Sequence, residues 1–292
     1  MTTRLRAALF PLGRIVLGIL LVGGSVAASQ LAVKALKGVL SLGGALPAIY
    51  YLAYLLVSVL VAYLVYRAYV RLVEKRDLTE LSRTGAPKEL GVGMLVGLGL
   101  VSAGICLLWL LGDYRVTGVG AWTAAFVLLA NDGAGAFVEE VMLRGIVFRI
   151  SEEKLGTWIA LAISALIFAL LHLASANATV TSVIVVGLEG GVLLSAAYVL
   201  TRRLWLAVGI HFAWDFAQDY VFGVSPGVEG LVRGRITGPP LLSGGSAGIE
   251  GSLLALIPCL IVGAYLLARA YRKGNVVKRP RGRGGERIQA AS

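Results

Sequence analysis

Long apolar stretches separated by short polar connections make up most of the chain. A helix needs about 20 mainly apolar residues to cross the hydrocarbon core of a bilayer, and eight stretches come close to that length. They cover about residues 11–32, 45–68, 90–111, 120–148, 156–174, 179–200, 204–222 and 249–270. The pattern therefore predicts an all-α, polytopic membrane protein with about eight transmembrane helices packed in one bundle.

The connections between these stretches differ in character. Residues 71–89 are rich in charge and predict a short amphipathic helix at the membrane surface. Residues 223–248 are rich in Gly, Pro and Ser, which predicts an irregular loop, and residues 272–292 are basic and glycine-rich, as is typical of disordered tails. We therefore expect one membrane-embedded bundle over residues 1–271 and a disordered cytoplasmic tail over residues 272–292.

The composition agrees with a bilayer as the solvent. Hydrophobic residues make up 58% of the 292 residues, charged residues make up only 15%, and the mean hydropathy is +0.83. Soluble domains contain about 25% charged residues, so the apolar content exceeds what a buried core requires. Apolar side chains must face lipid as well as the protein interior.

The net charge of +11 comes from basic residues between the apolar stretches, without the interleaved aromatic platform that binds nucleic acid. Lys and Arg accumulate on alternate connections, which the positive-inside rule places in the cytoplasm. This bias predicts that both termini are cytoplasmic. Because the loops are short and the chain is compact, we expect a multi-pass protein of a prokaryotic plasma membrane. Its partner is the lipid bilayer, and we expect no nucleic acid. The basic residues assigned to the cytoplasmic side, apart from the tail, are Arg4, Arg6, Arg67, Arg71, Lys75, Arg76, Arg83, Lys88, Arg149, Lys154, Arg202 and Arg203.

The two cysteines, Cys106 and Cys259, both lie within apolar stretches. Their positions predict two buried free thiols rather than a disulfide. The sequence has no CxxC motif, which argues against a metal site built on cysteine.

Ionisable side chains within apolar helices are costly, by roughly 2.5–3.5 kcal/mol each near the membrane centre. Each of them is therefore a candidate for a functional role. The candidates in this chain are Glu139, Glu140, Arg144, His172, Glu189, His211 and Asp215.

The first three candidates belong to the segment EEVMLR. Residues four apart share a helix face, so Glu140 and Arg144 are expected to form an ion pair. Glu139 is rotated by about 100° and has no such partner, and an unpaired carboxylate in a low dielectric can exchange protons near neutral pH. Glu139 is therefore the candidate base, supported by the pair. The alternative is a salt-bridge cluster of all three at the inner membrane interface.

The chain contains two histidines, and they lie in different apolar stretches. His172 shares a helix face with Phe168, although a lone histidine near a helix end is more often structural than catalytic. His211 precedes Asp215 by four residues, and a carboxylate can fix the tautomer of a histidine and hold its ring. A purely structural His–Asp pair would have the same spacing. Together with Glu139, these positions place one polar face on each of three helices, as in sites built inside bundles.

The segments EEVMLR (139–144), FALLH (168–172) and HFAWD (211–215) resemble the three motifs of the CPBP family of intramembrane proteases. This family is also called ABI and includes the CAAX prenyl endopeptidases, and its motifs are EExxxR, FxxxH and HxxxN or HxxxD. Their order, spacing and helix placement match over about residues 75–270. The resemblance implies an intramembrane endopeptidase that hydrolyses a peptide bond in a membrane-associated peptide or protein substrate.

The resemblance also implies roles for single residues. Glu139 and His172 would activate a water molecule, and His211 with the residue at position 215 would stabilise the oxyanion of the tetrahedral intermediate. The remaining motif residues would support the site structurally, and they are Glu140, Arg144 and Phe168.

Position 215 departs from the prenyl endopeptidases, which typically carry Asn there. An amide can donate a hydrogen bond to an oxyanion, whereas an ionised carboxylate cannot. We therefore expect Asp215 to orient His211. No cofactor is expected, because the resemblance implies a water held by Glu and His without a metal. The alternative is zinc, which would lower the pKa of a bound water to about 7, although the chain has no HExxH motif.

Two further classes of function stay open at this point. The chain could be a non-catalytic membrane partner, such as an immunity or regulatory protein of the same fold. It could also be a transporter, because intramembrane carboxylates and histidines form proton relays, although the sequence lacks the internal repeat that transporters often show. Glu189, in the segment GLEGG, either lines the site or makes a structural hydrogen bond, and its neighbouring glycines allow close helix packing.

Overall fold

The computed structural model describes residues 3–39, 46–175, 177–225 and 227–279. In three places an α-helix continues without a break into a π-helical segment, named here the first, second and third π-segment. The elements in chain order are α1 Thr3–Val39, α2 Leu46–Leu72, α3 Ala86–Leu110, β1 Tyr114–Val119, α4 Ala124–Glu140, the first π-segment Val141–Phe148, α5 Arg149–Leu155, α6 Thr157–His172, α7 Val180–Val186, the second π-segment Gly187–Val192, α8 Leu193–Thr201, α9 Trp205–Phe216, the third π-segment Ala217–Val221, β2 Val232–Ile236, α10 Pro240–Ser243, a 3₁₀ helix Gly245–Gly251 and α11 Leu253–Arg272.

The prediction of a polytopic, all-α membrane protein is confirmed. Among the described residues, five helices are long and apolar enough to cross a membrane, while Thr157–His172 is apolar but shorter. Every predicted stretch corresponds to a helix, but the number of eight spans is not confirmed. The helix over 120–148 carries several charged side chains, and the helix over 204–222 is short. The five qualifying spans are Phe10–Leu36, Ala48–Leu72, Ala86–Leu110, Val180–Thr201 and Gly245–Arg272.

Apolar side chains cover the outside of the bundle as well as its interior. On α2, four leucines at successive spacings of four residues are each half exposed or more: Leu52, Leu56, Leu60 and Leu64. Lipid is the environment in which such a stripe is stable. By contrast, 72% of the most apolar stretch of the helix Val180–Thr201 is buried inside the protein. This helix therefore runs through the centre of the bundle, surrounded by the others.

Both cysteines are free, but only one of them is buried. The expectation holds for Cys259 on α11 and is wrong for Cys106, which is exposed on α3. An apolar sequence context does not distinguish the lipid-facing side of a membrane helix from its protein-facing side, because both sides are apolar.

Close contact between α3 and α9 depends on glycine. A Cβ added at Gly97 would lie 2.3 Å from the carbonyl oxygen of Ile210, and one at Gly93 would lie 2.4 Å from that of Leu206. From the other side, a Cβ at Gly209 would lie 2.4 Å from the oxygen of Leu90. Small residues let helix backbones approach in this way inside membranes. The contact fixes the middle of α9, where His211 lies, against α3.

One end of the bundle is closed by ion pairs. Instead of the amphipathic helix predicted over 71–89, α2 extends to Leu72, residues 73–85 form turns, and α3 begins at Ala86. Glu74 pairs with Arg14 of α1 and with Arg149, the latter at 2.5 Å. Burial opposes ionisation of Glu74, but the arginines, Arg149 first, outweigh it and lower its pKa below the ordinary value. The charges of this segment therefore serve internal ion pairs rather than a surface helix.

At the opposite end, two short strands that the sequence did not predict pair with each other. β1 and β2 are antiparallel, with Tyr114 opposite Ile236 and a register shift between Val116 and Gly118. β2 lies inside the segment predicted to be irregular, and α10 and the 3₁₀ helix follow it. The prediction of an irregular loop over 223–248 is therefore wrong for these parts. Strands of five or six residues interrupted by glycine give little periodic signal.

The predicted tail begins with residues that join the fold. The Asn275 side-chain amide donates to the carbonyls of Val199 and Leu200 at 3.1 and 2.9 Å, and the backbone N–H of Val277 donates to Thr157 Oγ1 at 2.8 Å. Residues 280–292 lie outside the described residues, so for them the expected disorder stays a prediction.

The glycine contact between α3 and α9 can be tested with two variants of the same helix. We expect Gly97→Ala to lower the free energy of unfolding by about 1–3 kcal/mol, the usual cost of overpacking. Gly99→Ala is the control, because a Cβ there has no atom within 4 Å and Ala is the better helix former by about 0.5–1 kcal/mol. Unfolding by SDS titration measures both, and equal stability of the two variants would contradict the close contact.

Candidate active site

The three sequence motifs meet around one cavity of about 260 Å³. Glu139 lies at the end of α4, His172 is the last residue of α6, and His211 and Asp215 lie on α9. All four line the cavity, and so does Phe168. The volume holds several water molecules. The structure thus brings together residues that are up to 76 positions apart along the chain.

The two adjacent glutamates have different environments. The side chain of Glu139 is 39% exposed and belongs to the cavity wall, whereas that of Glu140 is fully buried. Glu140 Oε1 accepts a hydrogen bond from Arg144 Nη1 at 2.8 Å, which is the ion pair expected from the spacing. Neighbouring residues of a helix are rotated by about 100°. One carboxylate is therefore tied into the interior while the other is open to the cavity.

Arg144 connects α4 to the second π-segment. Its side chain is fully buried, and Nη2 donates to the carbonyl oxygen of Gly190 at 2.6 Å. Its guanidinium also lies over the Phe168 ring, 5.2 Å from the centroid. Gly190 must be glycine here, since a Cβ would lie 2.4 Å from Phe168 Cε1. Arg144 thus fixes the helix that carries Glu189 as well as the phenylalanine of the second motif.

The ring of Phe168 contacts the rings of both histidines. Its ring stacks on that of His172, with centroids 4.6 Å apart and an interplanar angle of 30°, and meets His211 edge-on at 6.0 Å. His172 Nδ1 lies 2.9 Å from the carbonyl oxygen of Phe168. Because a carbonyl can only accept, Nδ1 carries the proton, and Nε2 is left with its lone pair. The FxxxH motif therefore sets both the position and the tautomer of His172.

The ring of His211 is surrounded by carboxylates. Nδ1 lies 2.9 Å from Glu140 Oε1, and Nε2 lies 3.4 Å from Asp215 Oδ2 and 3.9 Å from Glu139 Oε2. The short contact with Glu140 is the one that orients the ring. The spacing of four residues between His211 and Asp215 does bring them together, but at a longer distance. The sequence assigned Glu140 only to the pair with Arg144, and in the structure it also holds the histidine.

Several cavity residues were not selected from the sequence. Asp132 and Asp219 belong to predicted spans, so the cost of burying an ionisable group would have identified them. Glu250 lies on the 3₁₀ helix at the very start of the predicted span 249–270, and no sequence motif marks it. Glu189 lines the cavity, as in the first of the two interpretations given above for this residue. The further lining residues are Val186, Gly190, Leu193, Leu194, Ile210, Trp214, Gln218 and Cys259.

Within the part of the chain that the structure describes, no group of three or more His, Cys, Asp or Glu residues is arranged to hold a metal ion. Two smaller cavities adjoin the main one, and both are lined by Glu250. One of them also reaches His172 and the other reaches Gln218 and Asp219. Glu250 therefore lies where the three cavities meet, at the end of the bundle that carries the two strands.

Comparison with known proteins supports the resemblance seen in the motifs. Residues 120–217 match the family model described as type II CAAX prenyl endopeptidase Rce1-like. This segment contains all three motifs, so the similarity to the CPBP family is confirmed, and the family is one of membrane-embedded CAAX-type proteases. No curated protein and no solved structure matches the chain significantly.

The buried ion pair predicts a large loss of stability when it is broken. Arg144→Met removes the buried guanidinium that pairs with Glu140 and bonds to the Gly190 carbonyl, so we expect the free energy of unfolding to fall by about 3–5 kcal/mol. The matched control is Arg233→Met, which breaks the pair of Glu229 and Arg233. This pair has the same spacing, but its side chains are 73% exposed for Glu229 and 58% exposed for Arg233. We expect that loss to stay below about 1 kcal/mol. SDS unfolding of both variants checks this, and similar losses would contradict a buried role for the pair.

Proposed function

We propose that this protein is an intramembrane endopeptidase in which Glu139 and His172 activate a water molecule that attacks the scissile carbonyl. The observation that carries the proposal is the shared cavity: Glu139, His172 and His211 all line it, and two of them are held by buried partners. The family match supports a CAAX-type protease. The catalytic residues and the mechanism are our proposal.

Glu139 suits the role of general base because its carboxylate is open to the cavity while its neighbours are buried. A base must lie within hydrogen-bond reach of the water that it deprotonates. His172 supports the same water from the other side, since the hydrogen bond of Nδ1 to the Phe168 carbonyl leaves Nε2 free to accept. The water thus donates one hydrogen to each of two acceptors, and a lone pair of its oxygen can attack the substrate carbonyl carbon.

His211 is placed to stabilise the oxyanion that forms in this attack. An imidazole with carboxylates facing both nitrogens is favoured as the cation, in which both N–H groups donate. Nδ1–H is used by Glu140, which leaves Nε2–H for the substrate. Preorganised donors of this kind are a major contribution to catalysis in sites that exclude water. Asp215 then acts through His211, by stabilising its positive charge 3.4 Å from Nε2.

The reaction is complete without further groups. The water oxygen forms a bond to the carbonyl carbon and its proton passes to Glu139. When the tetrahedral intermediate collapses, the carbon–nitrogen bond breaks and Glu139 returns the proton to the leaving amine. The products are a carboxylic acid and an amine, and the enzyme recovers its starting protonation.

The ends of the bundle suggest how substrate reaches the site. The ion pairs around Glu74 and Arg149 close the basic end, and we propose that this end faces the cytoplasm of a prokaryotic cell, following the positive-inside rule. The cavity extends the other way, toward Asp219 and Glu250. We therefore propose that a membrane-associated peptide or protein enters from the lipid or from the end that carries the two strands.

The role of Glu139 is tested by substitution with its amide. We expect Glu139→Gln to lower the cleavage rate by about 10²–10⁴-fold, the range typical for loss of a general base, because the amide cannot take the proton. The assay uses purified protein in nanodiscs with a peptide library that contains farnesylated and unfarnesylated members. Glu229→Gln is the control, since its side chain is 73% exposed and lies outside the cavity.

The same assay is repeated with a metal chelator. We expect cleavage to persist, and chelator-sensitive cleavage would favour the zinc alternative. Full activity of Glu139→Gln would contradict the proposed base. Absence of cleavage by the wild type across the library would favour a non-catalytic membrane partner.

Substitutions of Asp215 distinguish two possible roles of this residue, which are stabilising the charge of His211 and donating directly to the oxyanion. If Asp215 stabilises the charge of His211, both Asp215→Asn and Asp215→Ala should lower kcat by about tenfold, equivalent to about 1.4 kcal/mol, because neither side chain is anionic. If the residue donates directly to the oxyanion, Asp215→Asn should match or exceed the wild type while Asp215→Ala loses activity. Initial rates at saturating substrate distinguish the two accounts.

A further inference from the structure

The wall of the cavity is rich in acid and poor in base. Among the described residues that line it are six carboxylates and two histidines, and none of them is Lys or Arg. The proposed mechanism uses Glu139, Asp215 and the two histidines. The carboxylates that it leaves without a role are Asp132, Glu189, Asp219 and Glu250.

Two of these four have polar partners. Gln218 Nε2 donates to Glu250 Oε1 at 2.7 Å, and the Ser225 hydroxyl donates to Asp219 Oδ1. The other two, Asp132 and Glu189, each have a buried oxygen that finds no hydrogen-bond partner in the described part of the chain. These atoms are Asp132 Oδ2 and Glu189 Oε1. Of the six carboxylates that line the cavity, Asp132 and Glu189 are therefore the ones with an unpaired buried oxygen among the described residues.

Glu189 is the more deeply buried of the two, with only 6% of the residue exposed. Among the described residues it has no ion-pair partner within 4 Å, and the apolar Val186, Leu193 and Leu194 belong to the same wall. A buried carboxylate without a partner is costly, and such groups are retained inside membranes where they serve a function. The group that would satisfy it is a hydrogen-bond donor, best a positively charged one.

The position of Glu189 is fixed relative to the proposed catalytic residues. It precedes Gly190, whose carbonyl accepts the hydrogen bond from Arg144, and Phe168 packs against Gly190. The same Phe168 ring stacks on His172. A group bound by Glu189 therefore lies in the same cavity as the reacting carbonyl and at a defined place within it.

We propose that Glu189 binds a cationic nitrogen of the substrate, so that the protein selects peptides with a positively charged group near the cleaved bond. This rests on the proposed endopeptidase function and adds a substrate class to it. The nitrogen is either the side chain of a Lys or Arg residue or a free terminal ammonium. In both cases a charged donor meets the unpaired oxygen, while the surrounding carboxylates favour its entry.

The experiment compares three apolar peptides of identical length. The first is N-acetylated with one central lysine, the second is N-acetylated with norleucine at that position, and the third has norleucine and a free amino terminus. Dissociation constants are measured in nanodiscs for Glu139→Gln, which removes turnover, and for this variant combined with Glu189→Gln. Cleavage of the same peptides is measured for the wild type and for Glu189→Gln, and Glu229→Gln is the control for loss of a carboxylate outside the cavity.

We expect the lysine peptide, or the free-amine peptide, to bind about tenfold or more tightly than the acetylated norleucine peptide, as for a hydrogen bond between charged groups. Glu189→Gln should abolish this preference, and Glu229→Gln should leave the cleavage preference unchanged. If Glu189→Gln does not fold, Glu189→Asp replaces it and should reduce the preference without abolishing it. The peptide that shows the preference identifies the source of the nitrogen.

Equal affinity for all three peptides in the Glu139→Gln protein would overturn the inference, even if the wild type cleaves them. A preference that survives Glu189→Gln would overturn it too, because another group would then bind the cation. If binding shows the preference but no peptide is cleaved, the cation site stands and the endopeptidase proposal fails.

Discussion

The buried pair of Glu140 and Arg144 is the interaction on which the site depends. Glu140 Oε1 lies 2.8 Å from Arg144 Nη1 and 2.9 Å from His211 Nδ1. Arg144 in turn bonds to the backbone of the second π-segment and lies over Phe168. Two charged side chains therefore join four helices, namely α4 with its continuation into the first π-segment, α6, the helix of the second π-segment, and α9. In a low dielectric each of these charges is tolerable only because the others are present.

This arrangement explains why two consecutive glutamates are useful. The rotation between neighbouring helix positions directs one carboxylate into the interior and the other into the cavity. Glu140 Oε1 accepts hydrogen bonds from an arginine and a histidine, so Glu140 contributes structure and orientation. Glu139 faces His211 only at 3.9 Å and is open to the cavity, so it can bind water. A single glutamate could not both hold the ring of His211 and serve as the base that we propose for Glu139.

The extent to which the sequence predicts this molecule differs between its parts. The helices follow from apolar length, because bilayer thickness imposes it, and the i,i+4 contacts follow from helix geometry. The contact between Glu140 and His211 joins residues 71 positions apart, and no local pattern encodes a distance between helices. The same holds for Glu250, which reaches the cavity only because the segment around the 3₁₀ helix folds against it. Cys106 shows a related limit, since an apolar context does not reveal which side of a helix faces lipid.

The three π-segments give a physical reason for the site lying where it does. A π-helical turn departs from the regular backbone hydrogen-bond ladder, and in a membrane the affected groups must find partners inside the protein. In the first π-segment the Gly145 carbonyl accepts from the Tyr66 hydroxyl at 2.9 Å, and in the second the Gly190 carbonyl accepts from Arg144 at 2.6 Å. In the third, the Tyr220 carbonyl accepts a backbone N–H from the segment before β2 at 2.7 Å.

Each of these bonds ties a helix to a neighbour at the point where its own backbone ladder is irregular. Glycine makes two of them possible, since a Cβ at Gly145 would lie 2.9 Å from the Tyr66 hydroxyl and one at Gly190 would lie 2.4 Å from Phe168. The second and third π-segments also supply cavity-lining residues, Glu189 among them. The second and third π-segments thus place polar groups around a cavity inside an apolar bundle, and each is bonded to a neighbouring segment at its irregular turn.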